Sequence, residues 1–216
     1  TPTTIKETTV VVKEDELVTD TISKSFAKIG SVHESAASTS PVIALGIAVG
    51  NVFLTDSAVT VETHAVTFGD QLALYTVKSR YADIGIAVMV PEKDSAVPAG
   101  FRIADAAVAK LGQSVIALPS ASGTRVGIGA ITARYTLGRV PDGKDEVLVR
   151  AIETNIGGKV TPGAPLLNSF GDVLGISTSV SQGPAGGPGT FVALSDLTPL
   201  FLSVKGAATS TPVVVE

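Results

Sequence analysis

The stretch TNIGGKVTPGAPLLNSFGDVLGISTSV, residues 154–180, decides how the chain is read. It contains two short apolar runs, Pro165–Leu167 and Val173–Val180, set among glycines, prolines and small polar residues. Runs of that length between turn formers read as strands. The same texture continues outward. Ser114–Leu118, Val126–Tyr135, Glu146–Glu153 and Thr190–Leu194 complete one group of candidate strands. Val42–Val49, Asn51–Leu54, Ala65–Phe68, Leu72–Lys78 and Ile84–Val90 form an earlier one. Within the second group, Pro141-Asp142-Gly143-Lys144 reads as a hairpin turn, in which proline presets φ and glycine takes the positive φ. The proline-bearing segment Pro91–Gly100 joins the groups. Many short strands in two groups with one connector predict an all-β chain of two packed β-barrels.

Two segments break the strand pattern. From Asp15 to Ile29, the residues Val18, Ile22, Phe26 and Ile29 recur at spacings of four, four and three, which predicts an amphipathic helix. Gly30 then stands where a helix C-terminus favours a left-handed residue. Glu14-Asp15-Glu16 supplies carboxylates to the first turn, where they complement the helix dipole. Ser195–Val204 is expected to close the fold as a second helix. Residues 1–13 are Thr-rich and read as a tail or linker, and residues 205–216 as a polar linker. The folded part then divides into 14–96, with the first helix and barrel, and 97–204, with the second barrel and closing helix.

Composition removes several function classes. The 216 residues are 44% hydrophobic and 17% charged, which supports a real core and excludes a disordered chain. The longest apolar stretch, Pro41–Leu54, is interrupted by Gly46, Gly50 and Asn51, so no membrane insertion by this segment is expected. With no cysteine, disulfides and thiolate metal sites are excluded. A net charge of -4 gives no electrostatic reason to bind nucleic acid. Neither G-x-x-x-x-G-K-[ST] nor H-E-x-x-H occurs, and no cofactor or metal is expected. The Gly-rich piece Gln182–Gly189 precedes a strand, whereas a phosphate cradle needs a helix N-terminus. The sequence opens at Thr1 without Met or leader, which reads as a processed or excised segment.

Several phrases, in order along the chain, resemble the protease domain of the HtrA family. Phe53-Leu54-Thr55-Asp56-Ser57-Ala58-Val59 resembles its I-L-T-N-N-H-V, and Ala82–Val88 its T-D-I-A-V-L. Leu111–Pro119 resembles the strand that opens the family's second barrel, and Val126–Thr132 its V-T-x-G-I-V-S. Gly163-Ala164-Pro165-Leu166-Leu167 stands for G-G-P-L-V, with Gly171–Thr178 following at the family's distance. The resemblance spans roughly Asp15 to Leu202. It implies two six-stranded barrels of the trypsin type, with a short helix at each end.

The chemistry of that family needs a serine to attack, a histidine to take its proton and an aspartate to hold the histidine. Backbone N–H groups, including the serine's own, stabilise the oxyanion. At the matched positions stand Ala58 for the histidine, Pro162 for the serine and Asp83 for the aspartate. A methyl accepts no proton, and proline has neither hydroxyl nor N–H. The resemblance therefore implies an inactive protease homologue with no catalytic residues. Asp83 is expected as a buried carboxylate at a strand start, accepting backbone or hydroxyl bonds such as one from Ser57. A relocated site would pair Thr161 with His64, since the chain has only two histidines. The plainer expectation puts His64 at a solvent-facing strand entry and His33 on the surface.

What the resemblance leaves is a strand beside the inter-barrel groove, which in active relatives pairs with substrate backbone. Ser177, Thr178 and Ser179 match that strand, and with Gly163 they are the expected peptide-binding residues. The expected partner is a protein or an extended peptide. Two alternatives stand beside a binding module: a hydrolase using Thr161 and His64, and a structural subunit of a homo-oligomer. In that last reading Val18, Ile22 and Phe26 serve as a contact stripe. By analogy with the family, the expected location is extracytoplasmic, at the cell envelope, with an upstream anchor.

Overall fold

The computed structural model describes residues 14–93, 95, 98–142, 145–183, 186–202 and 204. The segments read as tail and linker, 1–13 and 205–216, lie outside them. So do Gly143 and Lys144 of the expected hairpin turn, although the flanking pair Asp142↔Asp145 is formed.

The chain builds two closed antiparallel barrels of six strands each. The first contains β1 (Ile29–His33), β2 (Val42–Val49), β3 (Val52–Asp56), β4 (Thr63–Phe68), β5 (Gln71–Tyr81) and β6 (Ile86–Pro91), ordered β1-β2-β3-β6-β5-β4 around the barrel. The second contains β7 (Ser114–Ala117), β8 (Gly127–Asp142), β9 (Asp145–Thr154), β10 (Pro165–Leu167), β11 (Val173–Ile176) and β12 (Thr190–Ala193), ordered β10-β11-β12-β9-β8-β7. Helix α1 (Glu14–Phe26) precedes the first barrel. A 3-10 turn (Leu194–Leu197) and helix α2 (Thr198–Leu202) follow the second.

Strands β2, β3 and β6 are buried on both faces, which explains why they read as continuous apolar runs rather than alternating ones. Their alternate residues serve two cores. Ala48, Phe53, Ala87 and Met89 point into the first barrel with Val66, Phe68 and Tyr75. Ile47, Val49, Val52, Leu54, Ile86 and Val88 join the second barrel's residues in one larger aliphatic cluster. The outer wall of the first barrel is thus part of the core of the whole molecule. Inside the first barrel, Phe53 meets Tyr75 with ring centroids 4.9 Å apart and Phe68 edge-on at 5.8 Å. Space for these rings comes from Gly30 and Gly46, where any Cβ would strike the Phe53 ring.

That packing corrects the expected helix boundary. The helix ends at Phe26, and Ile29 and Gly30 belong to β1, paired with Ile47 and Gly46. Gly30 is there to clear Phe53 and Val66, not to cap a helix. Val18, Ile22 and Phe26 pack against the larger core. Three other expectations shift. The residues Ala82–Ile84 form a 3-10 turn ahead of β6, β8 runs on to Asp142 through two register shifts, and β11 stops at Ile176 instead of Val180.

Candidate functional site

The matched positions gather around one junction between the barrels. Strand β3 ends in a turn that carries Ala58, whose N–H donates to Asp56 Oδ1 at 2.8 Å. The next N–H back, that of Ser57, donates to the Gly85 carbonyl at 2.8 Å, so it is Gly85 that faces this turn from the start of β6. A Cβ on Gly85, which sits at φ 73°, would collide with the Thr178 side chain. Asp83 lies two residues earlier, exposed on the 3-10 turn, and accepts no hydrogen bond from Ser57. The expectation of a buried, bonded Asp83 is therefore corrected.

The buried carboxylate at the junction is Asp56. It is 0% exposed and ties the barrels together, accepting from Ser179 N–H at 2.6 Å and Ser179 Oγ at 3.2 Å as well as from Ala58. Charge-assisted bonds of this kind are worth roughly 1.5–3 kcal/mol each. Sequence matching passed over Asp56 because it occupied an asparagine position of the resembled motif. The signal was local: an aspartate after a strand, two residues ahead of a free N–H, forms an Asx turn.

From the second barrel, Pro162 reaches the junction through its carbonyl, which accepts from the Leu45 N–H of β2 at 2.8 Å. Leu45's own carbonyl accepts from Thr55 Oγ1 at 2.6 Å. Gly163 follows at φ 89°, and a Cβ there would run into the Leu45 carbonyl, so only glycine fits. From Pro162 to Ala164 no backbone donor is free. Pro162 has none, Gly163 N–H donates to the Ser177 carbonyl at 2.7 Å, and Ala164 N–H donates to the Thr161 carbonyl at 3.1 Å and Ser177 Oγ at 3.0 Å.

Ser177, Thr178 and Ser179, expected to border a peptide groove, are turned to internal use. Ser177 and Thr178 are 0% exposed. Ser177 N–H donates to the Ala164 carbonyl at 2.8 Å, and its Oγ donates to the Thr161 carbonyl at 2.8 Å. Thr178 N–H donates to Ser181 Oγ at 3.0 Å, its carbonyl accepts from Gln182 N–H, and its Oγ1 donates to the Ile84 carbonyl at 3.0 Å. With Ser179 N–H held by Asp56, the backbone N–H groups of all three residues are engaged within the chain. The strand ends before them because their backbone bonds close a tight turn.

Both histidines correct the sequence reading. His33 is 7% exposed, with Nδ1 2.7 Å from the Ser40 carbonyl and Nε2 3.1 Å from Thr67 Oγ1. His64 is 0% exposed and its Nδ1 donates to the His33 carbonyl at 2.6 Å. The ring shares the first barrel's interior face with Val66 and Phe68, two and four residues on along β4. Its Nε2 has no hydrogen-bond partner. No hydrogen bond links His64 to Thr161 among the described residues. Among these residues there is also no group of three or more His, Asp or Glu arranged to hold a metal ion.

No family model matches the chain, and no curated protein matches it. Solved structures do. The Rv3671c protease from M. tuberculosis, in its active form, superposes with a TM-score of 0.64 at 18% identity, over 99% of this chain and 97% of that one. Deg5 does so at 0.68 and 17%, over 92% and 100%. The MamO protease domain from Magnetospirillum magneticum, in its apo form, does so at 0.58 and 18%, over 77% and 91%. At such identities the likeness is one of fold, and the chain has the double-barrel fold of trypsin-like protease domains of the HtrA and Deg kind.

Proposed function

We propose that this chain is a catalytically inactive trypsin-like domain that serves as a protein-binding or scaffold module. The observation that carries the proposal is the pair of residues at the matched positions, Ala58 and Pro162. An acyl-transfer site needs a base, a nucleophile and N–H donors aimed at empty space where an oxyanion will form. Here the base position is Ala58 and the nucleophile position is Pro162, which supplies neither a hydroxyl nor the N–H that a nucleophile residue lends to the oxyanion. The carbonyl of Pro162 is also tied to Leu45, which fixes the loop against the first barrel.

The test is incubation with a fluorophosphonate serine-hydrolase probe and with unfolded casein, beside an active HtrA protease. No labelling and no cleavage are expected. Casein cleavage that disappears on Thr161→Ala, in a variant that melts like wild type, overturns the proposal and restores a relocated hydrolase. The double substitution Ala58→His/Pro162→Ser sharpens the point. It is expected to remain inactive, because Asp83 is exposed on its 3-10 turn and not placed as the buried carboxylate that holds a catalytic histidine.

The binding role does not use the expected groove residues as an open edge, since Gly163, Ser177, Thr178 and Ser179 are internally bonded. The proposal extends to placement outside the cytoplasm, which rests on the resemblance to HtrA proteases. No helix among the described residues is long and apolar enough to cross a membrane. Cell fractionation with an antibody to the chain tests this placement, and recovery in the cytosolic fraction counts against it.

A further inference from the structure

Among the described residues, eight large apolar side chains are exposed, and two of them share one groove. Val108, Leu111 and Leu148 are 71%, 63% and 47% exposed, and the latter two line one groove of about 580 Å³. The groove lies on the second barrel and is lined by none of the residues at the Ala58–Pro162 junction. Its floor is the outward face of β8 and β9, and its wall is the loop that carries Ala107 and Leu111. Two arginines line it and no carboxylate does, on a chain whose net charge is -4. Arg150 is matched by Asp196, which reaches it from the 3-10 turn behind. Arg134 has no carboxylate partner among the described residues. One of its terminal nitrogens donates to the carbonyls of Ala106 and Ala107, which pins the guanidinium at the groove wall with its other donors uncommitted.

We infer that this groove is the protein-docking site of the module, and that its occupant is an extended partner segment with apolar side chains and a carboxylate. The inference rests on the binding-module reading above and moves the binding surface from the inter-barrel junction to the outside of the second barrel. Leu111 and Leu148 would be covered by the partner's apolar residues, and the free N–H groups of Arg134 would take the carboxylate in a charge-assisted pair. Exposed leucines beside one uncompensated guanidinium match the anatomy of a small interface, with an apolar contact and one oriented polar anchor.

The experiment uses the full chain on an array of twelve-residue peptides of alternating leucine and polar residues, with the polar positions filled by Glu, Gln or Lys. Selective retention by the Glu peptides is expected. Leu111→Asp and Leu148→Asp should each weaken it by about tenfold, as loss of a central apolar contact does. Arg134→Gln should weaken it by roughly fivefold and remove much of its salt dependence. Thermal melts of all three variants establish that the fold is intact. Selective binding that none of the substitutions weakens overturns the groove but leaves a binding module standing. Equal retention of Glu, Gln and Lys peptides overturns the carboxylate recognition. Retention of no peptide overturns the groove and withdraws support from the binding-module reading together, whereas the casein experiment bears only on inactivity.

Discussion

Buried polar groups behave in opposite ways in two regions of this molecule. At the junction between the barrels, Asp56, Ser177, Thr178 and Ser181 are all 0% exposed and all hydrogen-bonded to partners within the chain. In the interior of the first barrel, His64 and Tyr75 face each other across β4 and β5, both 0% exposed, and His64 Nε2 and Tyr75 Oη have no partner. Unsatisfied polar atoms and strained donors are what a catalytic site keeps in reserve. Here those four junction residues are satisfied, although Gln182 Nε2, in the turn that Thr178 closes, has no partner. The first barrel's two orphaned atoms share its interior with Phe53, Phe68 and the Tyr75 ring. The comparison teaches that the polar groups around Ala58 and Pro162 are held by bonds within the chain, whereas His64 Nε2 and Tyr75 Oη are held by packing.

The largest expected effect breaks both regions at their glycines. Gly163→Ala sets a methyl against the Leu45 carbonyl at a positive φ, and Gly46→Ala sets one against the Phe53 ring and the Leu54 carbonyl. Each should cost about 3 kcal/mol or more in urea denaturation, since backbone and a packed ring yield little. If Gly163→Ala proves as stable as wild type, the loop is not seated on β2 as described. Next comes Asp56→Ala, which removes the acceptor for Ala58 and Ser179. A loss of about 3 kcal/mol is expected, with faster hydrogen exchange at those two amides. An unchanged exchange rate there would mean that the staple between barrels is not formed.

A smaller effect of opposite sign is expected for Tyr75→Phe. The hydroxyl it removes has no partner, so stability at neutral pH should stay the same or rise by up to about 1 kcal/mol. Burial pushes the Tyr75 phenol up to about 12, above its ordinary 10. The folded state therefore holds the proton after the unfolded chain has released it. This contribution to stability is complete below pH 10 and is lost as pH rises from 10 through 12. Urea midpoints at pH 8 and pH 11.5 should fall further in wild type than in Tyr75→Phe, and equal falls would remove Tyr75 from the account. The smallest effect is expected from Leu111→Asp, within about 0.5 kcal/mol of wild type, because a side chain on the outer face of the second barrel belongs to neither region.

Residues that act through local pattern were legible from the sequence. Val42–Val49 and Pro165–Leu167 were bounded to the residue, because length, β-branching and flanking turn formers are read over a few positions. The order of the matched phrases also located the junction, bringing Ala58 and Pro162 to it. Ile29–His33 escaped because its residues continued a helical spacing, and only Phe53 and Val66, more than twenty residues away, require Gly30 to be strand. The burial of His64, the exposure of Asp83 and the use of Asp56 were equally out of reach. Each depends on which face of a closed barrel a position occupies and on what lies across from it. Identity and spacing, carried by the chain itself, thus determined the two barrels and the absence of a histidine and a serine at the matched positions. Whether the backbone groups left there face solvent or one another was decided only by tertiary structure, because a hydrogen bond between Pro162 and Leu45 joins residues that no local pattern relates.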